Sequence, residues 1–466
     1  MAPPRIAFYG DDFTGATDTL ATASRAGLRT MLFLRVPDAR QLSLAGALDI
    51  VGIAGASRSM SPADMAAELG PVRDFFAGLG APVVHYKTCS TFDSAPAIGS
   101  IGAAVAILRL PSPTGWVAIV GGQPNLNRYC LFGNLFACVE IGGEVHRIDR
   151  HATMSRHPVT PMTEADLRIH LGRQGLAPIA SVDYTRYDLD ADALDRDVDA
   201  RLDARFDANA PTRPAGLLFD VARADDLAIV GRQLWLRATA ASASGRGGPL
   251  LVVGPSSVTQ ALIAHWRRRP EAPDGGPPCA LPENVAADPQ PALAPARGPV
   301  LVLAGSLSGV TARQRARATS YCQHRIDPQR LVEGGVDAVG ETADAIVGHL
   351  RDGRHVLVHT APADDGSAAR QADPALARAS GALLQHLLHR VRLSRVGIAG
   401  GDTSSHAVRA LDIWGLTYLG QVAPGTALCA ARSDDRRLDG IELMLKGGQM
   451  GLPDVFERLI GAGPGP

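Results

Sequence analysis

Lysine is almost missing from this chain. Of its 46 basic residues only Lys87 and Lys446 are lysine, and the other 44 are arginine. A solvated surface accepts either cation, so base composition accounts for the general drift. A lysine that resists the drift is either a chance survivor or a place suited to a compact ammonium with three rotatable donors rather than a planar fork. Excess charge is missing too: 46 basic and 47 acidic side chains leave a formal net charge of -1, without the positive surplus of a nucleic-acid binder. No apolar run approaches the roughly 18 residues of a membrane span, so no membrane partner is expected. The opening MAPPRIAFYG enters a strand-like stretch directly and lacks a signal-peptide layout, which predicts a cytoplasmic protein. Six cysteines without a C-x-x-C pair exclude a disulfide scaffold and argue against a structural zinc site. The thirteen histidines contain no H-E-x-x-H, and His146, His151 and His157 read as loop residues. Neither G-x-x-x-x-G-K-[ST] nor G-x-G-x-x-G occurs, which removes the P-loop and the standard dinucleotide fingerprint.

What is present is a long, apolar-rich chain. Its 466 residues exceed one compact core, and 46% hydrophobic residues suffice for two. Five segments share one grammar of apolar run, Gly/Ser/Asp loop and amphipathic stretch: Ile6 to Tyr9, Trp116 to Val120, Leu250 to Val253, Val300 to Ala304 and Val396 to Ala399. The grammar predicts an α/β protein of two domains, each with a mostly parallel sheet flanked by helices. Ligands then belong beyond the carboxyl ends of the strands, with the active site expected in the interdomain cleft. Eight prolines between Pro270 and Gly298 predict a semi-rigid connector over 269–298, dividing 1–268 from 299–466. DLDADALDRDVDARLDARFDANA has leucine and valine at helical spacing and reads as a solvated surface helix.

Three groups of residues carry chemistry. In GDDFTGATD, Asp11 and Asp12 sit where the first strand ends, suited to polyol hydroxyls, to magnesium or to removing a hydroxyl proton. A helix N-cap is the competing role for one of them. In YKTCSTFDS, Lys87 offers a cation while Ser90, Thr91 and Ser94 offer small donors and acceptors for an anionic or polyhydroxylated molecule, with an ordinary Ser/Thr capping loop as the competing reading. Cys89 reads as an idle thiol, because spacing fixes no histidine partner. After the connector, GSLSGVTARQ and GGDTSS each join a strand to a helix N-terminus, and LKGGQMG adds a glycine pair and the second lysine. Such loops let backbone N–H groups approach a phosphate, and three together point to a nucleotide site.

The ordered set GDDFTGATD, K-x-x-S-T, GSLSGVT, GGDTSS and LKGGQMG, from about Ile6 to Gly451, resembles the four-carbon acid sugar kinase family. The resemblance implies an N-terminal domain for the acid sugar, a C-terminal domain for ATP, and Mg2+-supported transfer of phosphate to threonate, erythronate or 3-oxo-tetronates. It assigns Asp12 and Lys87 to catalysis and Asp11, Ser90, Thr91 and Arg128 to the sugar. Ser306, Ser308, Gly400, Gly401, Asp402, Thr403, Ser404, Gly447 and Gly448 fall to the nucleotide, with Asp402 as the metal ligand. Many members read K-I-D-S-T-L-R-G where this chain has K-T-C-S-T-F-D-S, so Cys89 and Asp93 replace an acid and an arginine. That exchange leaves a branched or 3-oxo acid sugar as the expected substrate type. A dinucleotide-dependent oxidoreductase and a non-catalytic ligand-binding protein are the alternatives. A homodimer, swapped or not, is expected from the proline-rich hinge.

Overall fold

A computed structural model describes residues 2–110, 115–139, 143–157, 159–204, 213–243, 248–268, 293–360, 374–448 and 450–461. The connector expected over 269–298 lies, up to residue 292, outside them. The strands in chain order are β1 (Ile6–Gly10), β2 (Thr30–Phe33), β3 (Ile50–Ala54), β4 (Val83–Lys87), β5 (Val117–Gly121), β6 (Arg128–Leu131), β7 (Asn134–Cys138), β8 (Val145–Arg147), β9 (Ile179–Val182), β10 (Gly216–Asp220) and β11 (Leu250–Gly254). They continue as β12 (Val300–Ala304), β13 (Tyr321–Arg325), β14 (His355–His359), β15 (Arg395–Ala399), β16 (Gly415–Ala423), β17 (Thr426–Arg432) and β18 (Glu442–Lys446). Half of them are short runs such as VAIVG, LLVVG and VLVLA in which every residue is buried. Both faces of a parallel sheet are covered by helices, so its strands are continuously apolar rather than alternating.

The chain packs as two compact units. The first takes Met1–Asp11, Thr22–Thr30 and Leu42–Ala286, and the second takes Asp12–Ala21, Met31–Gln41 and Ala287–Pro466. The pair Asp11 and Asp12 is therefore divided, one carboxylate to each unit. In the first unit the sheet runs β3, β1, β4, β11, β5, β10, β9, all parallel. In the second, β13, β14, β12, β15 and β18 are parallel. There β17, β16 and the end of β2 then add an antiparallel edge.

Both units reverse direction in the same way. From β3 the helix Pro62–Leu79 carries the chain across β1 to β4, and from β14 the helix Pro374–Arg390 carries it across β12 to β15. Where such a sheet reverses, the loops at the carboxyl ends of the two central strands separate and leave a crevice for ligands. Those strand ends carry Asp11 and Lys87 in the first unit, and Gly305 and Gly400 in the second.

Two segments depart from the sequence expectation. The run Trp116 to Val120 forms β5, yet GGQPNLN leads to a 3-10 turn at Pro124–Leu126 and then the β6–β7 hairpin, not a helix. Asn127 takes φ 57, and this left-handed residue stops the helical turn and redirects the chain into β6. The antiparallel pair β16–β17 follows from Pro424 and Gly425, whose turn is too tight for a crossover helix. The charged stretch does form a surface helix, Ala191–Asp203, burying only Leu194 and Val198.

Candidate functional site

At the reversal point of the first unit, the Asp11 N–H donates to the Lys87 carbonyl at 2.9 Å, tying the ends of β1 and β4 together. The Asp11 carboxylate is 3% exposed. Arg58 grips it with Nη2 to Oδ1 at 2.8 Å and Nε to Oδ2 at 3.2 Å, and Thr88 Oγ1 donates to Oδ2 at 3.3 Å. A bidentate guanidinium of this kind fixes both partners, so Asp11 holds Arg58 at the end of β1. Lys87, also 3% exposed, donates from Nζ to the Thr88 carbonyl at 2.9 Å.

The loop after β4 is built from short side chains. The Phe92 N–H closes a turn onto the Cys89 carbonyl at 3.0 Å, with Phe92 at φ 54. Cys89 Sγ lies 3.0 Å from Thr91 Oγ1, and Thr91 donates to Asp93. Ser94 Oγ donates to the Phe92 carbonyl and meets His170 Nε2 at 2.9 Å, while Gln174 Nε2 donates to it at 2.8 Å. Ser90 and Thr91 are buried in this loop. Burial pushes the Cys89 thiol up to about 11, and the Asp93 charge adds to the shift. A neutral thiol is a poor nucleophile, in keeping with an idle Cys89.

Arg128 opens β6, and Nη1 donates to the Leu126 carbonyl. Its Nε–H is buried without an acceptor. Burial lowers its pKa, and the titratable groups that act on it are Cys89, Cys138 and Tyr129, none of them a carboxylate. Cys89 is in turn acted on by Arg58 and Lys87. Three cations therefore converge on the loop that also carries Asp93, and among the described residues the carboxylate bridge made by these cations is that of Arg58 with Asp11. This arrangement suits a small anion.

In the second unit, Asp12 caps the helix Phe13–Arg25: Oδ1 accepts from the Gly15 N–H and Oδ2 from Thr14 Oγ1, both at 2.8 Å. The capping role weighed for this residue is present. Its carboxylate also faces the start of the helix Gly401–Arg409, because a Cβ placed on Gly401 would lie 3.9 Å from Asp12 Oδ2. Gly400, at φ +130, turns the chain into that helix, and its N–H donates to the Lys446 carbonyl at 2.8 Å. Thr403 packs against Gly305, and the Ser404 N–H donates to the Gly400 carbonyl at 2.8 Å. Asp402 is in the first turn of the helix, but its side chain lies outside the described structure.

The three glycine-bearing loops meet in this unit. The Gly305 and Ser306 N–H groups both donate to the Ala399 carbonyl, joining the ends of β12 and β15. Ser308 caps the helix Gly309–Arg317 and donates to the Gly448 carbonyl, as does Thr311 at 3.0 Å. A Cβ on Gly448 would come within 2.5 Å of Ser306 Oγ, whereas one on Gly447 would clear Thr14 Oγ1 by 3.8 Å. The sequence motifs named most of this cluster, Lys446 included, and contained Thr14 and Thr311 without giving them a role; Arg58 lies outside every motif.

The open space at Gly401 gives a direct test. Gly401→Val should leave the melting temperature near the parent value, since no protein atom meets the new Cβ closer than 3.9 Å. The branched side chain would fill the space beside the helix start and raise the nucleotide dissociation constant by about tenfold or more, on the order of one lost charge-assisted contact. Calorimetry with nucleotide and with acid sugar separately reads both effects. An unchanged nucleotide constant would remove this loop from the site.

The fold is a two-unit α/β arrangement, with cations clustered at the strand ends of one unit and three glycine-bearing loops meeting in the other. A family model described as a sugar-binding N-terminal domain matches residues 6–262, and one described as a nucleotide-binding C-terminal domain matches 301–456. The chain belongs to the four-carbon acid sugar kinase family and is a kinase. It is 39% identical to a 3-oxo-isoapionate kinase of Paraburkholderia graminis, over 97% of this chain and 93% of that one. It is 31% identical to a 3-oxo-tetronate kinase of Methylobacterium radiotolerans, over 97% of each. A crystal structure of a Haemophilus influenzae protein shares the fold with a TM-score of 0.64 at 22% identity, over 98% of this chain and 99% of that one. Family membership sets aside the oxidoreductase and the non-catalytic binding protein.

Proposed function

We propose that the chain transfers the terminal phosphoryl group of ATP to a hydroxyl of a 3-oxo acid sugar of the isoapionate or tetronate type. The observation that carries the substrate class is Arg128, whose buried Nε–H has no acceptor. A substrate carboxylate supplies the missing partner and restores the charge-assisted pairing that buried guanidinium groups require. The names of the relatives at 39% and 31% identity support the 3-oxo acid.

Phosphoryl transfer asks the protein mainly for positioning and charge neutralisation. Asp12 accepts or orients the proton of the attacking hydroxyl as the new P–O bond forms and ADP departs. Lys87 spends one donor on the Thr88 carbonyl and turns its charge to the substrate carboxylate or the moving phosphoryl group. Ser90 and Thr91 hold sugar hydroxyls. Asp11 works indirectly, by fixing Arg58 and the end of β1. The Gly400–Ser404, Ser306–Ser308 and Gly447–Gly448 loops take the nucleotide. Mg2+ supplies charge neutralisation at the phosphates. It usually takes one or two carboxylates and keeps several waters. Asp12 fits that use, being the carboxylate placed beside the Gly401 helix start, and Asp402 is the second candidate. Among the described residues no group of three or more His, Cys, Asp or Glu forms a dedicated metal cage.

An ADP-release screen over acid sugars, with branched and 3-oxo members included, tests the proposal. The highest kcat/KM is expected on a 3-oxo acid, and ADP release on none of them would overturn it. We also propose a cytoplasmic homodimer. Among the described residues no helix is long and apolar enough to cross a membrane, and the eight prolines of 270–298 in the sequence motivate the dimer, swapped or not. Light scattering at micromolar concentration should give twice the 48.7 kDa chain mass; a monomer would end that part of the proposal.

A further inference from the structure

Lys446, the last residue of β18, has no exposed surface. Its Nζ donates to the Gly447 carbonyl at 2.8 Å, to Thr311 Oγ1 at 3.3 Å and to the Gly448 carbonyl at 3.5 Å. All three acceptors are neutral, two of the contacts are long, and among the described residues no carboxylate pairs with this ammonium. A charge taken out of water without a counter-charge is held at high cost. Burial alone accordingly lowers the Lys446 pKa to about 7.

The loop above this lysine is fixed. Ser308 and Thr311 hold the Gly448 carbonyl, and Gln314 Nε2 donates to the carbonyls of Met450, Gly451 and Leu452 at 3.0 to 3.1 Å. The ammonium is thus locked beneath the glycine pair rather than left to swing out to water. A guanidinium would not fit among three acceptors spaced for a compact head group. This separates position 446 from the 44 positions where arginine serves.

We propose that Lys446 is the counter-charge for the phosphate chain of the nucleotide, so that a pyrophosphate-class anion completes the pairing the protein leaves open. The inference rests on reading the second unit as the nucleotide site. It divides nucleotide recognition in two: the phosphate chain depends on Lys446, and the nucleoside does not.

Calorimetry of ADP, adenosine and inorganic pyrophosphate, on the parent protein and on Lys446→Met and Lys446→Arg, tests it. In Lys446→Met the ADP and pyrophosphate constants should rise by about 10- to 100-fold, as for the loss of a nearby opposite charge shielded from water. Adenosine should stay within about twofold, as for a ligand without charge. Lys446→Arg should not recover the loss, because the guanidinium does not fit among the three acceptors. Equal losses for ADP and adenosine would mean a structural role and overturn the proposal, as would an unchanged ADP constant. If the parent binds neither ADP nor adenosine, the nucleotide reading fails and this inference with it. Should Lys446→Met not fold, the parent still decides the question, because a chain with two lysines labelled at Cε gives two lysine resonances. The Lys446 signal, assigned by difference with Lys87→Met, should move on adding pyrophosphate; indifference to pyrophosphate would overturn the assignment.

Discussion

Asparagine at position 12 is expected to lower kcat by about 10²- to 10⁴-fold, or about 3 to 5 kcal/mol in barrier, with little change in melting temperature. The two halves of that result have separate causes. Asparagine caps helices nearly as well as aspartate, and its carbonyl oxygen can keep the 2.8 Å contact from the Gly15 N–H. Stability therefore stays. The negative charge and the basicity disappear, and with them the group proposed to take the hydroxyl proton. Because Asp12 packs with the second unit, beside Gly401, the affinity for nucleotide should fall when Mg2+ is present and hold when it is absent. Steady-state kinetics beside a melting curve read this out. Activity within a few-fold of the parent would leave Asp12 with capping as its whole role.

Methionine at position 128 should act on the other substrate. Removing one partner of a buried charge pair costs about 2 to 5 kcal/mol, so kcat/KM for the acid sugar should drop from roughly 30-fold to several thousand-fold. The loss should appear mainly in KM. An uncharged analogue with an amide in place of the carboxylate should lose far less, because it never supplied the charge. Equal losses for acid and amide would detach Arg128 from the carboxylate. A melting curve beside the kinetics separates any folding effect, because the substitution also gives up the Nη1 bond to the Leu126 carbonyl.

Much of this was legible in the sequence because parallel sheets bury both faces. Val300 to Ala304 and Val396 to Ala399 could hardly be anything but strands, and the loops that follow had to lie at their carboxyl ends. The motifs then named the loop residues. What the sequence could not show was pairing across long separations. Arg58 meets Asp11 from 47 positions away, and nothing distinguishes it among 44 arginines. The division of Asp11 from Asp12 was equally hidden, because adjacent residues carry no mark of which core each flank joins. The hairpin after β5 was missed for a different reason. A Pro/Asn-containing loop is compatible with a helix start, and only the left-handed Asn127 decides against it.

The position of β11 bears on how the chain reaches its folded state during synthesis. This strand is last in its unit by sequence, yet it lies in the middle of the sheet, hydrogen-bonded to β4 on one side and β5 on the other. Until Leu250–Gly254 leaves the ribosome, β4 and β5 have no neighbour between them. At about 5 to 20 residues per second the wait after β5 is on the order of ten seconds. Open edges of apolar strands attract other chains, so the nascent protein passes through a vulnerable interval. A fragment ending before residue 250 would stay in that interval permanently.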